Sequence, residues 1–201
     1  MLVGAFSTGP APRSSRSFRD DRAMASDASE VPQLQASAGA LIFDGSGQLL
    51  ILKTTYKKGW SLPGGQIEPG ESPWEACRRE TLEECGLSVA RARLACVDFL
   101  RPRADRLGGL RLLFDCGTLP DDQLAAIRLQ PEEIERHRFA HAAEAVELLT
   151  GPVGRRVAAT IGAERCVYLE DGRPVGEVDR SGGGSQARRH QSPRRSARRT
   201  D

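Results

Sequence analysis

The chain has no apolar run approaching the roughly 18 residues of a membrane-spanning helix, so no helical span is expected. Met1 to Phe6 is also too short for the apolar core of a secretion signal. Five cysteines (Cys77, Cys85, Cys96, Cys116 and Cys166) show no C-x-x-C spacing. An odd number without a framework argues against a disulfide scaffold or a zinc site and for reduced thiols in a core. Together these absences predict a cytoplasmic protein that does not enter a membrane. His137 and His141 have i, i+4 spacing, but the strand-to-loop context around Phe139 does not support a shared metal. There is no internal repeat. Net charge is nearly absent as well: the formal total is +2, with +6 in residues 180–201, zero in residues 1–34 and therefore −4 between them. The basicity thus belongs to a tail, and a basic groove for duplex nucleic acid is not expected in the folded part.

What is present concentrates between Gly65 and Leu87, in GQIEPGESPWEACRRETLEECGL. Ser72 suits a helix cap, Pro73 the first helical position and Glu75 a capping box, while Gly86 is a natural left-handed stop. A helix over about 73–85 follows. Its periodicity sends Glu80, Glu83 and Glu84 to one side and gives Trp74, Cys77, Thr81 and Cys85 a separate core stripe. Three carboxylates on one face repel by about 0.2–0.5 kcal/mol per close pair on an exposed helix. A hard, oxygen-seeking divalent cation reverses that sign. Arg79 lies beside Glu83 and can orient a neighbouring carboxylate. The preceding Leu62-Pro63-Gly64-Gly65 supplies a glycine loop that lets backbone approach a metal or phosphate.

Gly65, Glu71, Arg79, Glu80, Glu83, Glu84 and Gly86 stand at the offsets of G-x5-E-x7-R-E-U-x-E-E-x-G-U, with Thr81 and Leu87 at the bulky U positions. This stretch resembles the Nudix box. Thr81 is the one departure, and it bears on packing more than on chemistry. The resemblance implies an α/β fold, a Nudix-type α/β/α sandwich with a mixed β-sheet. It also implies metal-dependent hydrolysis of a nucleoside diphosphate linked to another group: ADP-ribose, a nucleotide sugar or a (deoxy)nucleoside triphosphate. The implied cofactor is Mg2+, with Mn2+ as a substitute. By the same resemblance Glu80, Glu83, Glu84 and the Gly64 carbonyl are metal ligands, and Glu83, Glu84 and Arg79 serve catalysis, with Glu71 in support.

Four regions are expected: a disordered tail over 1–34, the Nudix domain over 35–165, a C-terminal hairpin over 166–179 and an Arg-rich tail over 180–201 whose arginines could touch RNA weakly. Met24 is a candidate start, because nothing before it patterns as structure. Within the domain, runs 38–43 and 48–53 read as a hairpin around a Gly-rich turn. Residues 60–62 read as a short strand, 87–100 as one long or bulged strand, 110–115 as its partner and 124–129 as a weaker strand. The segment before Phe139 reads as a charged loop, followed by helices over 142–149 and 153–161 and a hairpin around Asp171-Gly172.

Outside the box, Arg101, Arg103 and Tyr56 are candidates for contact with a small nucleotide substrate, with Arg106, Trp60 and Phe99 nearby. Pro102, fifteen residues beyond Leu87, resembles a proline of some ADP-ribose-cleaving relatives. Glu132, Glu133 and Glu135 are candidates for a general base. Two further readings stay open: a Nudix-fold module that senses a nucleotide without cleaving it, and an isomerase of isoprenoid diphosphates. The unbroken set of box glutamates favours hydrolysis.

Overall fold

The structure, a computed structural model, describes residues 34–104, 106–176 and 178. The expectations for residues 1–33, including the Met24 start, and for 180–201 lie outside them. The elements run β1 (Gln35–Phe43), β2 (Leu49–Thr54), β3 (Trp60–Ser61), β4 (Gly64–Gln66), α1 (Pro73–Cys85), β5 (Arg93–Leu100), β6 (Gly109–Thr118), α2 (Asp121–Ala125), β7 (Ile134–Ala140), α3 (Ala142–Leu148), α4 (Gly151–Thr160), β8 (Val167–Glu170) and β9 (Arg173–Pro174).

The sheet is mixed. Its main path runs β3-β2-β1-β6-β5-β8-β9, with β4 paired to β1 and β7 to β2. The β1–β6 and β5–β8 pairs are parallel and the others antiparallel. One face buries Ala38, Ala40, Ile42, Leu50 and Leu52 against Ala76, Cys77 and Cys85 of α1. The other face buries Leu41, Leu49, Ile51 and Leu113 against Ala145 of α3 and Val157 of α4. Alternate strand residues face opposite sides, so two cores form and the layers are α/β/α, as the resemblance implies.

Four local expectations are corrected. The strands flanking the first turn do not form a full hairpin, because β1 and β2 meet only at Phe43 and Leu49. Beyond that pair they diverge: β4 takes Ser37–Gly39 of β1, and Ala40 N donates to Pro63 O at 2.9 Å. The long strand starts at Arg93 and not at Leu87, since Leu87 and Val89 alternate to fill the α1 core without a ladder partner. Residues 124–129 are not a strand. After Pro120, Asp121 and Asp122 sit in the first turn of the short helix α2, where acids suit a helix N-terminus, and Leu124, Ile127 and Leu129 pack on the core. The charged segment from Ile134 is strand β7, paired to β2, and buries only its two ends. An edge strand wet on both faces carries no apolar alternation to read.

Candidate functional site

The helix that carries the acidic cluster begins and ends where its caps predict. Ser72 Oγ accepts from Glu75 N at 3.2 Å, and Glu75 Oε2 accepts from Ser72 N at 2.8 Å. At the other end Gly86 adopts φ 70°, and its N–H reaches Leu82 O. Thr81, the unusual box residue, is buried and donates its hydroxyl to Cys77 O at 2.7 Å, so its polarity is satisfied within the helix. Trp74 packs on Phe114 of β6 with ring centroids 5.4 Å apart, which fixes the helix against the sheet.

Arg79 is the organising cation. Its Nε and Nη2 donate to the two oxygens of Glu71 at 2.9 and 3.0 Å, a bidentate pair. Nη1 donates to Glu80 at 2.9 Å and Glu83 at 3.1 Å, and Nη2 also reaches Gln66 O at 3.0 Å. The bonds to Glu71 and then to Glu80 and Glu83 raise the pKa of this guanidinium. Its bond to Glu71 and the Glu68 N–H hold the Glu71 carboxyl below the ordinary value.

Glu80, Glu83 and Glu84 share a side of α1, as their spacing predicts, but not an environment. Glu83 is half exposed, Glu80 mostly covered, and Glu84 buried at 4% exposure. Gly65 makes room for Glu80: a Cβ there would lie 2.2 Å from Glu80 Oε1. Gly64, at φ 142°, donates its N–H to Glu84 Oε2 at 2.7 Å, and a Cβ at this position would meet Ala38 O at 2.3 Å. Burial pushes the Glu84 carboxyl up to about 8, against the Gly64 bond and with the added repulsion of Glu80, Glu133 and Glu83. Glu80 is raised too, first by burial, with Arg79 pulling the other way.

Glu80, Glu84 and Glu133 open onto one cleft of about 570 Å³, lined also by Gly64, Gly65, Tyr56, Lys57, Ser37, Arg111, Val153 and Arg156. Tyr56 is thus brought to the acids, and burial together with the charges of Glu84, Glu133 and Glu80 raises its pKa. Glu83 stays on the exposed rim of α1, bound to Arg79. Among the three candidate bases, Glu133 lines the cleft, while Glu132 and Glu135 do not. Glu135 lies in β7 and not in a loop.

Arg101 and Arg103 do not line the cleft. Arg101 pairs with Glu170, and Arg103 and Arg106 pair with Asp171, all at the β8–β9 turn. Cleft arginines come instead from β6 and α4, as Arg111 and Arg156, and the sequence reading did not single them out. Trp60 and Phe99 are half-buried and outside the cleft lining. Among the described residues no three His, Cys, Asp or Glu side chains are drawn together as a ready ligand set. Arg79 engages Glu80 and Glu83, and Gly64 N engages Glu84. The donor set is nonetheless all oxygen, sets three carboxyls against the Arg79 guanidinium that bonds two of them, and is cradled by a glycine whose Cβ would displace Glu80. Such a set suits a hard divalent cation.

Comparison with known proteins places these residues in a familiar setting. A family model described as NUDIX domain matches residues 33–159. A Bacillus subtilis protein provisionally named an 8-oxo-dGTP diphosphatase is 43% identical over 53 residues, 26% of this chain and 36% of that protein. An RNA pyrophosphohydrolase of Proteus mirabilis is 42% identical over 52 residues, 26% of this chain and 30% of that protein. The matched stretch therefore spans about a third of these relatives. Among solved structures, a MutT protein of Methanosarcina mazei superposes with TM-score 0.54 at 22% identity, covering 67% of this chain and 99% of that one. The NUDIX domain of Shewanella oneidensis NrtR, complexed with ADP ribose, superposes with TM-score 0.57 at 15% identity, covering 69% and 94%.

Proposed function

The chain belongs to the NUDIX domain family, and from that premise we propose that it hydrolyses the diphosphate bond of a nucleoside diphosphate linked to another group. The observation that carries this reading is the buried Glu84 carboxylate, held by Gly64 N at the cleft beside Glu80 and Glu133. A Mg2+ or Mn2+ ion would be held by Glu80, Glu83, Glu84 and the Gly64 carbonyl, and when bound it supplies neutralisation of the diphosphate charge and acidification of water.

The chain's own residues do the rest. Arg79 fixes the rotamers of Glu80 and Glu83 through one guanidinium and ties them to Glu71, so the carboxylates are placed before substrate arrives. Glu133 faces the cleft and accepts the proton of the attacking water. The water oxygen bonds to one phosphorus, the bond from that phosphorus to the bridging oxygen breaks, and the bridging oxygen leaves on the second phosphate. Lys57 and Tyr56 stand at the mouth, with the ammonium 5.0 Å from the ring centroid, where an entering polyphosphate meets a positive charge and a nucleobase meets an aromatic face.

One relative above is named for 8-oxo-dGTP, a nucleoside triphosphate, and another for RNA, so RNA joins ADP-ribose, nucleotide sugars and nucleoside triphosphates as a candidate substrate. The test is a phosphate-release screen over nucleoside triphosphates, dinucleotides, nucleotide sugars and 5′-triphosphorylated RNA with Mg2+ or Mn2+, run with and without added phosphatase to show which bond breaks. Cleavage of at least one class supports the reading. Nucleotide binding without any cleavage would favour the sensing module instead.

A further inference from the structure

The cleft has a second charged end that the hydrolysis just described leaves idle. Arg111 reaches it from β6 and Arg156 from α4. Behind them Asp98 of β5 is fully buried, its Oδ2 accepting from Arg156 Nε at 2.6 Å and its Oδ1 from Gly172 N at 2.9 Å. With both oxygens so engaged, Asp98 forms no ion pair with Arg111. Arg111 Nη1 donates to Gln35 O and Leu110 O at 3.2 and 2.9 Å, while its Nε and Nη2 have no partner among the described residues. Two guanidiniums against one carboxylate leave a positive excess in a recess. Partial burial, and then repulsion from Arg156, depress the Arg111 pKa, with the charge of Asp98 pulling the other way.

The register fixes where this excess lies. Gly64, which holds Glu84, pairs with Gly39, and Arg111 pairs with Ser37 on the far side of β1. Two strand spacings and two residues along a strand separate the backbones, roughly 12 Å. The bond of Arg111 Nη1 to Gln35 O, further along β1 from Gly39, carries the guanidinium away from Gly64 and not toward it. This separation is too great for the next phosphate of one polyphosphate chain and suits a phosphate set off by a nucleoside.

On the hydrolase reading above, we propose that Arg111, backed by Arg156 and Asp98, receives a second phosphate on the substrate, one nucleoside away from the bond that is cut. The favoured substrate then carries phosphate on both sides of its nucleoside. Such a phosphate has two sources: a 3′-phosphate on a free nucleotide, or the first internucleotide diester of an RNA 5′ end. An arginine fork matches either one.

The test is calorimetric titration, with Mg2+ present, of adenosine 5′-monophosphate, adenosine 3′,5′-bisphosphate and the dinucleotide pApG. None has a diphosphate bond, so binding is read without turnover. The wild type should bind at least one of the two doubly substituted ligands about tenfold or more tightly than the monophosphate, as a charge-assisted contact implies. Preference for the bisphosphate identifies a free nucleotide, and preference for pApG an RNA end. Arg111→Gln should bring the ratio close to one and Arg111→Lys to an intermediate value, whereas Arg103→Gln, outside the cleft, should keep it. Equal wild-type affinity for all three ligands, or an undiminished ratio in a folded Arg111→Gln or Arg111→Lys protein, overturns the proposal. If the preference holds while the screen above, extended to adenosine 3′-phosphate 5′-triphosphate, finds no cleavage, the hydrolase reading fails and the anion site stands.

Discussion

Where Glu80 can sit depends on an absent Cβ. Gly65→Ala would put a methyl group 2.2 Å from its carboxylate, and steady-state assays should show kcat lowered by about 10- to 100-fold with the fold retained. Arg79→Lys keeps the charge but loses the fork that serves Glu71, Glu80 and Glu83 at once. Its kcat should also fall by about 10- to 100-fold, as for loss of a group that orients ligands, with little change in Tm. Glu84→Gln, nearly isosteric, should cost roughly two orders of magnitude or more in kcat, and activity within a few fold of wild type would contradict the role given to it. The box offsets made these residues legible in the sequence, because helical spacing is local and fixed. Their unequal burial was not legible: Glu84 is held by Gly64, twenty residues earlier at the start of β4, whose approach no helical period encodes.

α1 was the best-read element, since Ser72, Pro73, Glu75 and Gly86 set both ends through contacts within one turn. Ser72→Ala should cost about 1 kcal/mol in urea denaturation. Glu75 adds a pH dependence. Its bonds from Ser72 hold the carboxyl below its ordinary 4.5, so its contribution is present above that value and is lost as pH falls through the folded pKa. Melting curves of wild type and Glu75→Gln should therefore differ at neutral pH and converge in acid, whereas a gap constant with pH would refute the capping role. Elements set by distant partners were read less well. The divergence of β1 and β2 depends on β4 taking the freed edge of β1, and the late start of β5 depends on where β6 ends its ladder, at Arg93 and Asp115.

The molecule is locked on its cleft side by a contact between residues 58 apart. Asp98 joins β5 to α4 through Arg156 and to the β8–β9 turn through Gly172 N. Removing one partner of a buried pair strands the other charge, at about 3–5 kcal/mol. Asp98→Asn should therefore lower the unfolding free energy by about that much in urea, read by fluorescence, and a loss under about 1 kcal/mol would show the pair to be dispensable. Nothing in the sequence joined these two residues, because a lone buried acid and a lone helical arginine look like any others until the fold brings them together. The layered architecture was legible through the family resemblance, while the substrate-side chemistry of Arg111 and Arg156 emerged only from tertiary contact. The whole account rests on the acids of α1 holding a divalent ion at the cleft. The most direct measurement is Mn2+ titration followed by electron paramagnetic resonance, comparing wild type with Glu84→Gln. Binding in the wild type that weakens about tenfold or more in the variant is the predicted result, and equal binding by two equally folded proteins would contradict it.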